Sequence, residues 1–251
     1  VEPIGWRGIL GVVAAFTGLL VVMVLLWVPE SLPAERRHDG GLRILLDGTR
    51  ELARDHVLVR LLFINALSFG LLMAYLSAAP FVLRNVLGMG TVAYTAVFGL
   101  CGATVTVTIA VAASLVRRFS QARQVRVGLI AGLVVDTVFA GVCLTWLREP
   151  VTGPERMPLL VAVVALFLAH VACLGLSMGN VPALALDRTG RWAGTGSALL
   201  GFLQFIVGGL VSPLVGLTGE ASGAAFGVVI VAVGAVANIL AVFGLRERGE
   251  K

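Results

Sequence analysis

Lysine is nearly missing from this chain. One lysine, Lys251, stands against eighteen arginines, and it lies in the C-terminal tail. A retinal-binding photoreceptor needs a lysine inside the membrane to form its Schiff base, so that class is excluded. Charge of either sign is also scarce. Charged residues make up 13% of the chain, where a soluble domain carries about 25%. Cysteine is limited to Cys101, Cys143 and Cys173, all inside apolar runs and without C-x-x-C spacing. That excludes a disulfide framework and a zinc site and leaves three small packing residues. The first residue is Val, and no charged segment of the signal-peptide kind precedes the first apolar run. The chain therefore reads as a piece of something longer.

What is present is hydrophobic. Apolar residues make up 58% of the chain and the mean hydropathy is +0.98. Seven runs have the length to span a hydrocarbon core of ~30 Å at ~1.5 Å per residue. They are Trp6–Val28, Leu61–Leu83, Val92–Val116, Val127–Leu147, Leu159–Asn180, Gly194–Leu217 and Ala221–Leu245. The expected fold is all-α and integral to the membrane. The stretch TVTVTI from Thr104 alternates like a strand, but inside a long apolar run the backbone must satisfy itself, which predicts helix. The net charge of +5 is then topology information rather than a nucleic-acid footprint. Fifteen of the nineteen basic residues follow the first, third, fifth and seventh runs; Arg7, Arg84, Arg148 and Arg156 lie on the other side. This predicts a multi-pass membrane protein with an outside N-terminus and a cytoplasmic C-terminus. Trp6, Trp27, Trp146 and Trp192 fall at run ends, as an interfacial belt requires.

The first run stops at VPESLPAERR, Val28–Arg37, where two prolines cannot continue a hydrogen-bonded helix. Beyond it, Leu42, Leu45, Leu46, Thr49, Leu52, Ala53 and His56 form one stripe of an amphipathic helix. Six acids balance six arginines between residues 29 and 60, which suits a cytoplasmic strap better than a lipid-binding segment. His38 and His56 lie in it as solvated or interfacial residues. The domain reading is thus one span over 1–28, a linker over 29–60 and a six-helix bundle over 61–251.

Three stretches carry a family resemblance. GWRGIL followed by a span and VPESLPAERR, then AYLSAAPFVLRNVLG (Ala74–Gly88), then MGNVPALALDRTGRWAGTGSALLGFLQFIVGGLVSPLVG (Met178–Gly216) resemble major facilitator transporters of the Bcr/CflA drug-resistance group. In the last stretch Asn180, Ala185, Leu186, Ala193, Gly194, Ser197, Ala198, Leu199, Leu200 and Gln204 match the pattern. The resemblance implies a twelve-helix exporter of small, largely apolar drugs, proton-coupled and without a cofactor. This chain would supply the last seven helices. Its implied partners are the small-molecule substrate, protons, membrane lipid and the missing N-terminal bundle, with no nucleic acid. The loop LVRRFSQARQVRVG (Leu115–Gly128) has Arg117 where the N-terminal copy of this loop has Asp. It can act as a basic clamp but cannot supply that carboxylate.

Ionisable groups inside a bilayer are costly and by default suggest function. Asp136 and His170 qualify. His170 shares a helical face with Cys173, Ser177 and Asn180, and Asn65, Ser68 and Tyr75 form a comparable stripe on the second run. The resemblance places both helices beside the central cavity, so Asn65, Ser68, Tyr75, His170, Ser177 and Asn180 are candidate cavity-lining residues. A histidine satisfied inside the bundle remains the alternative for His170. Asp136 continues the small-residue face of Gly128 and Gly132, which aims it at protein. The resemblance puts its helix at the periphery of the cavity. It therefore reads first as a neutral, hydrogen-bonded structural carboxyl and second as a proton-handling group; His170 is a separate candidate for that second role. Ser197, Gly201, Gln204 and Gly208 share a face that reads first as helix packing and second as cavity contact, and Asn238 reads as an internal hydrogen bond. GLSMG (Gly175–Gly179) fits the nucleophile elbow G-x-S-x-G, but that motif works on a strained strand-to-helix turn, not within a membrane helix. Ser177 and His170 lie about two turns apart on one helix, too far to touch. An intramembrane hydrolase and a non-transporting membrane scaffold are the competing classes.

Overall fold

The computed structural model describes residues 5–28, 41–219 and 222–244. The Pro29–Gly40 stretch with Arg36, Arg37 and His38, the run ends Ala221 and Leu245, and the tail residues Arg246, Arg248 and Lys251 lie outside the described residues. Two compact units divide the chain, Val1–Leu42 and Arg43–Lys251. The first holds α1 (Gly5–Trp27), apolar on every side, with Arg7 in its first turns as its only charge.

The second unit is a helical bundle preceded by a strap. It comprises α2 (Leu42–Leu52), α3 (His56–Pro80) with a π-helical turn (Phe81–Val86), α4 (Thr91–Leu115), α5 (Gln121–Thr145), α6 (Arg156–Leu186), α7 (Ala193–Leu214) and α8 (Ala224–Gly244). Every regular element among the described residues is helical, and seven of the helices are long and apolar enough to cross a membrane. The TVTVTI alternation lies inside α4, and Thr104 and Thr106 donate their hydroxyls to the Leu100 and Gly102 carbonyls one turn back.

Local chemistry sets the helix ends. Asp55 starts α3 by accepting from the backbone N–H groups of Val57 (3.0 Å) and Leu58 (3.2 Å), and Ser120 starts α5 by accepting from that of Arg123 (3.3 Å). Past Pro80 the chain widens to π hydrogen bonding, with Leu87 N–H donating to the Val82 carbonyl, and the turn ends at Gly88 with φ +60°. Arg156 then donates to the Leu87 (2.7 Å) and Gly88 (2.5 Å) carbonyls, filling acceptors that the helix end leaves open.

Helix α3 lies at the centre, against α6, α7 and α8. Helix α5 packs on α6 and α8, and α4 packs on α6. On α7 the packing face runs through Leu200, Gly208 and Val211, with Gln204 half-buried beside it; Ser197, expected on that face, is exposed. The strap also differs from expectation. Gly48 and Leu52 are its buried residues, whereas Leu42, Leu45 and Leu46 are exposed. The reason is electrostatic and steric together. Glu51 pairs with Arg191 at 2.8 Å and Asp55 with Arg188 at 2.7 Å, and these contacts turn Gly48 onto the Trp192 ring. A turn at Ala53–Arg54 then separates the strap from His56, which begins the next helix instead of extending the stripe.

Candidate functional site: a buried aspartate–histidine pair

Helices α5 and α6 run antiparallel and very close. A Cβ at Gly128 would stand 2.9 Å from both the Cys173 carbonyl oxygen and Leu176 Cβ, so the approach requires glycine there. This contact sets the register for a ladder of facing residues. Gln124 faces Asn180, Gly128 faces Ser177, Gly132 faces Cys173 and Asp136 faces His170. On α5 the steps are four residues each, and on α6 they are three or four, as two helical stripes in contact demand.

At the top rung, His170 Nδ1 lies 2.5 Å from Asp136 Oδ1, and each residue is 1% exposed. Both sit near the middle of their helices. Two placements of one proton satisfy this contact: Nδ1–H donates to a carboxylate, or a protonated carboxyl donates to Nδ1. A lone carboxylate or imidazolium at this depth would cost several kcal/mol of desolvation, roughly; sharing a proton relieves both partners. The second ring nitrogen, Nε2, is buried and has no partner among the described residues. It is thus a second port on the same ring, able to take or give a proton while Nδ1 holds Asp136. Helix α8 closes the pair from the third side: Gly234 lies against Asp136 Oδ2, and Asn238 donates to the Leu129 carbonyl at 2.9 Å. One turn away on α5 and α6, Phe139 and Phe167 meet edge to face at 4.8 Å, with Phe226 of α8 against both. The pair therefore has an aromatic layer towards one end of the bundle and the polar rungs towards the other.

All seven residues singled out in the sequence are buried within this unit. Two of them, Asp136 and His170, are brought together. Asn180 donates to Gln124 Oε1 at 3.3 Å and to the Leu176 carbonyl at 2.8 Å. Asn65 donates to Gln204 Oε1 at 3.2 Å, linking α3 to α7. Tyr75 stacks on Phe98 at 5.9 Å and meets Phe167 edge to face at 5.3 Å. The hydroxyls of Ser68 and Ser177 are buried without a partner among the described residues. Gln124 is the rung that sequence reasoning passed over. Its signal was present, since it stands four residues before Gly128 and extends the Gly128–Gly132–Asp136 stripe.

The Major Facilitator Superfamily model matches residues 1–213. A Bacillus subtilis protein, described as the uncharacterized MFS-type transporter YdgK, is 27% identical over 246 residues, covering 96% of this chain and 57% of that protein. The chain thus spans little more than half the length of this curated relative. No solved structure matches it significantly. A model that covers most of the chain, over a bundle of membrane-length helices, establishes that this protein belongs to the major facilitator superfamily.

Proposed function

We propose that this chain is the C-terminal part of a two-bundle exporter of the Bcr/CflA kind, moving small, largely apolar drugs outward by alternating access in exchange for protons. The observation that carries the proton part is the Asp136–His170 contact, a titratable pair at mid-helix whose outer nitrogen has no partner among the described residues. Such a pair is costly to keep in a membrane and is the chemistry a proton relay uses. The drug-export part rests on the resemblance of Ala74–Gly88 and Met178–Gly216. The coverage of the relative, 57% of its length, agrees with a further N-terminal bundle that supplies the opposite cavity wall. In this reading the arginine-rich helix ends face the cytoplasm of a bacterial cell and the N-terminus faces outside. Substrate contact falls to Asn65, Ser68, Tyr75, Ser177 and Asn180 on α3 and α6. They are buried in the conformation described, so this assignment requires a state in which neighbouring helices part.

The test uses the two-bundle protein in vesicles, with an imposed pH gradient and the apolar dye Nile red as substrate. Asp136→Asn and His170→Gln preserve hydrogen bonding and remove the proton exchange. Each should cut gradient-driven efflux at least tenfold while membrane insertion is unchanged. Variants that insert and pump like the parent across the pH range would falsify the proton role of the pair.

A further inference from the structure

The turn between α4 and α5 differs in charge from every other part of the bundle. Arg117, Arg118, Arg123 and Arg126 lie within ten residues, and no acid occurs between Leu115 and Val135. Among the described residues no carboxylate is within ion-pair distance of Arg117, Arg118 or Arg123, and all three are exposed. Arg126 is half-buried and engaged within the protein. Beside this charge lies a cavity of about 280 Å³ lined by Leu115, Phe119, Arg123, Gln124, Val127 and Leu176. Arg123 is the sole charge in that lining, and its guanidinium stands over the Phe119 ring at 5.1 Å. Gln124 is already committed, donating to the Phe119 carbonyl and accepting from Asn180. The cavity therefore offers one cation and apolar walls.

We infer that this cavity binds an anionic phospholipid, with the headgroup phosphate on Arg123 and an acyl chain running down α5. Three observations select a lipid over a soluble anion. The lining is apolar apart from Arg123 and Gln124, which a small hydrated anion would not fill. The cavity falls just below the roughly 300–1,000 Å³ of sites that enclose a whole drug-sized ligand, so it suits the glycerol region and first methylenes of a larger molecule. Finally, Val127, Ile130, Val134 and Val138 continue from the cavity at helical spacing, each more than half exposed, on the side of α5 turned away from α6 and α8. Their eleven-residue reach is roughly 16 Å at the helical rise, about one leaflet of a ~30 Å core. Basic pockets between helices at a membrane surface recognise anionic headgroups in this way. The inference does not depend on the proton pair.

The test is a thermal-unfolding titration of the purified chain in dodecyl maltoside micelles. Dioleoylphosphatidylglycerol should stabilise it in a saturable manner. Dioleoylphosphatidylcholine, with the same tails and no net charge, should give less than a tenth of that apparent affinity, and soluble glycerol phosphate should have no effect. Arg123→Gln and the cavity-filling Leu176→Trp should each weaken phosphatidylglycerol binding at least tenfold, whereas Arg148→Gln, at the other end of α5, should leave it unchanged. Equal effects of the two lipids would overturn the inference, because burial of tails alone would then explain them. Stabilisation by glycerol phosphate would reassign the site to soluble anions. Unchanged phosphatidylglycerol affinity in both Arg123→Gln and Leu176→Trp would reduce it to diffuse attraction by the whole basic turn.

Discussion

Two kinds of pairing between a carboxylate and a nitrogen group hold this bundle, one buried and one at the rim, and they sit in opposite environments. Asp136 meets His170 deep between α5 and α6, where both side chains are buried. Asp55 meets Arg188, and Glu51 meets Arg191, at the helix ends, where all four side chains reach solvent. At the rim, water screens the charges and each pair adds little, about 0–1 kcal/mol. What the rim contacts supply is placement: they pin α2 across the junction of α6 and α7. Inside, removing either partner strands the other without solvent, a cost that selection would avoid for packing alone. The contrast teaches that the same chemistry acts as a fastener where it is wet and suggests function where it is dry.

The largest effect should come from breaking the dry pair on one side only. His170→Leu or Asp136→Leu should each lower the unfolding free energy of the purified chain by about 3 kcal/mol, because each leaves a buried polar partner unmatched. The double variant should recover most of that stability, since two apolar side chains need no partner. A double variant as unstable as the sum of the singles would show that the pair is not a self-contained unit.

At the rim, the effects should be smaller and unequal. Asp55→Ala removes both the α3 cap and the Arg188 contact and should cost about 1 kcal/mol, whereas Arg188→Ala should cost about half of that. Equal losses in thermal unfolding would mean that the ion pair, not the cap, carries the effect.

The smallest effect is one of pH. Partial burial by itself would raise the Asp55 carboxyl, but the Arg188 hydrogen bond and the Leu58 and Val57 N–H groups outweigh it and hold the group below its ordinary value of 3.8. A carboxyl depressed in the folded state stabilises it above the unfolded value, and that stability is lost as pH falls through the lowered folded value. The strap should therefore stay docked at neutral pH and loosen only below the ordinary carboxylate range. Trp192, which packs on Gly48, reports this when Trp6, Trp27 and Trp146 are replaced by Phe. Its emission should shift to the red at low pH in the parent, and already at pH 7 in Asp55→Asn.

Much of this was legible in the residues. The apolar runs marked the membrane helices, and the alternation at Thr104 did not mislead once its surroundings were weighed. The two stripes, Gly128–Gly132–Asp136 and His170–Cys173–Ser177–Asn180, were each visible from spacing alone. Their mutual register was not. GLSMG lies inside α6, and the chain is a member of a transporter family rather than an enzyme.

Helicity, span length and the clustering of arginine at alternate ends came from the sequence by itself, because hydrogen bonds close within four residues and hydropathy is summed along one segment. Which stripe meets which was decided only in the tertiary structure. Asp136 and His170 stand 34 positions apart along the chain, and nothing local prefers their contact to Asp136 facing α8 alone. The close approach at Gly128 selects it, by allowing α5 and α6 to lock in a single register. The strap shows the same division: its amphipathic period is local, but the face it buries is set by Arg188, Arg191 and Trp192, more than a hundred residues away.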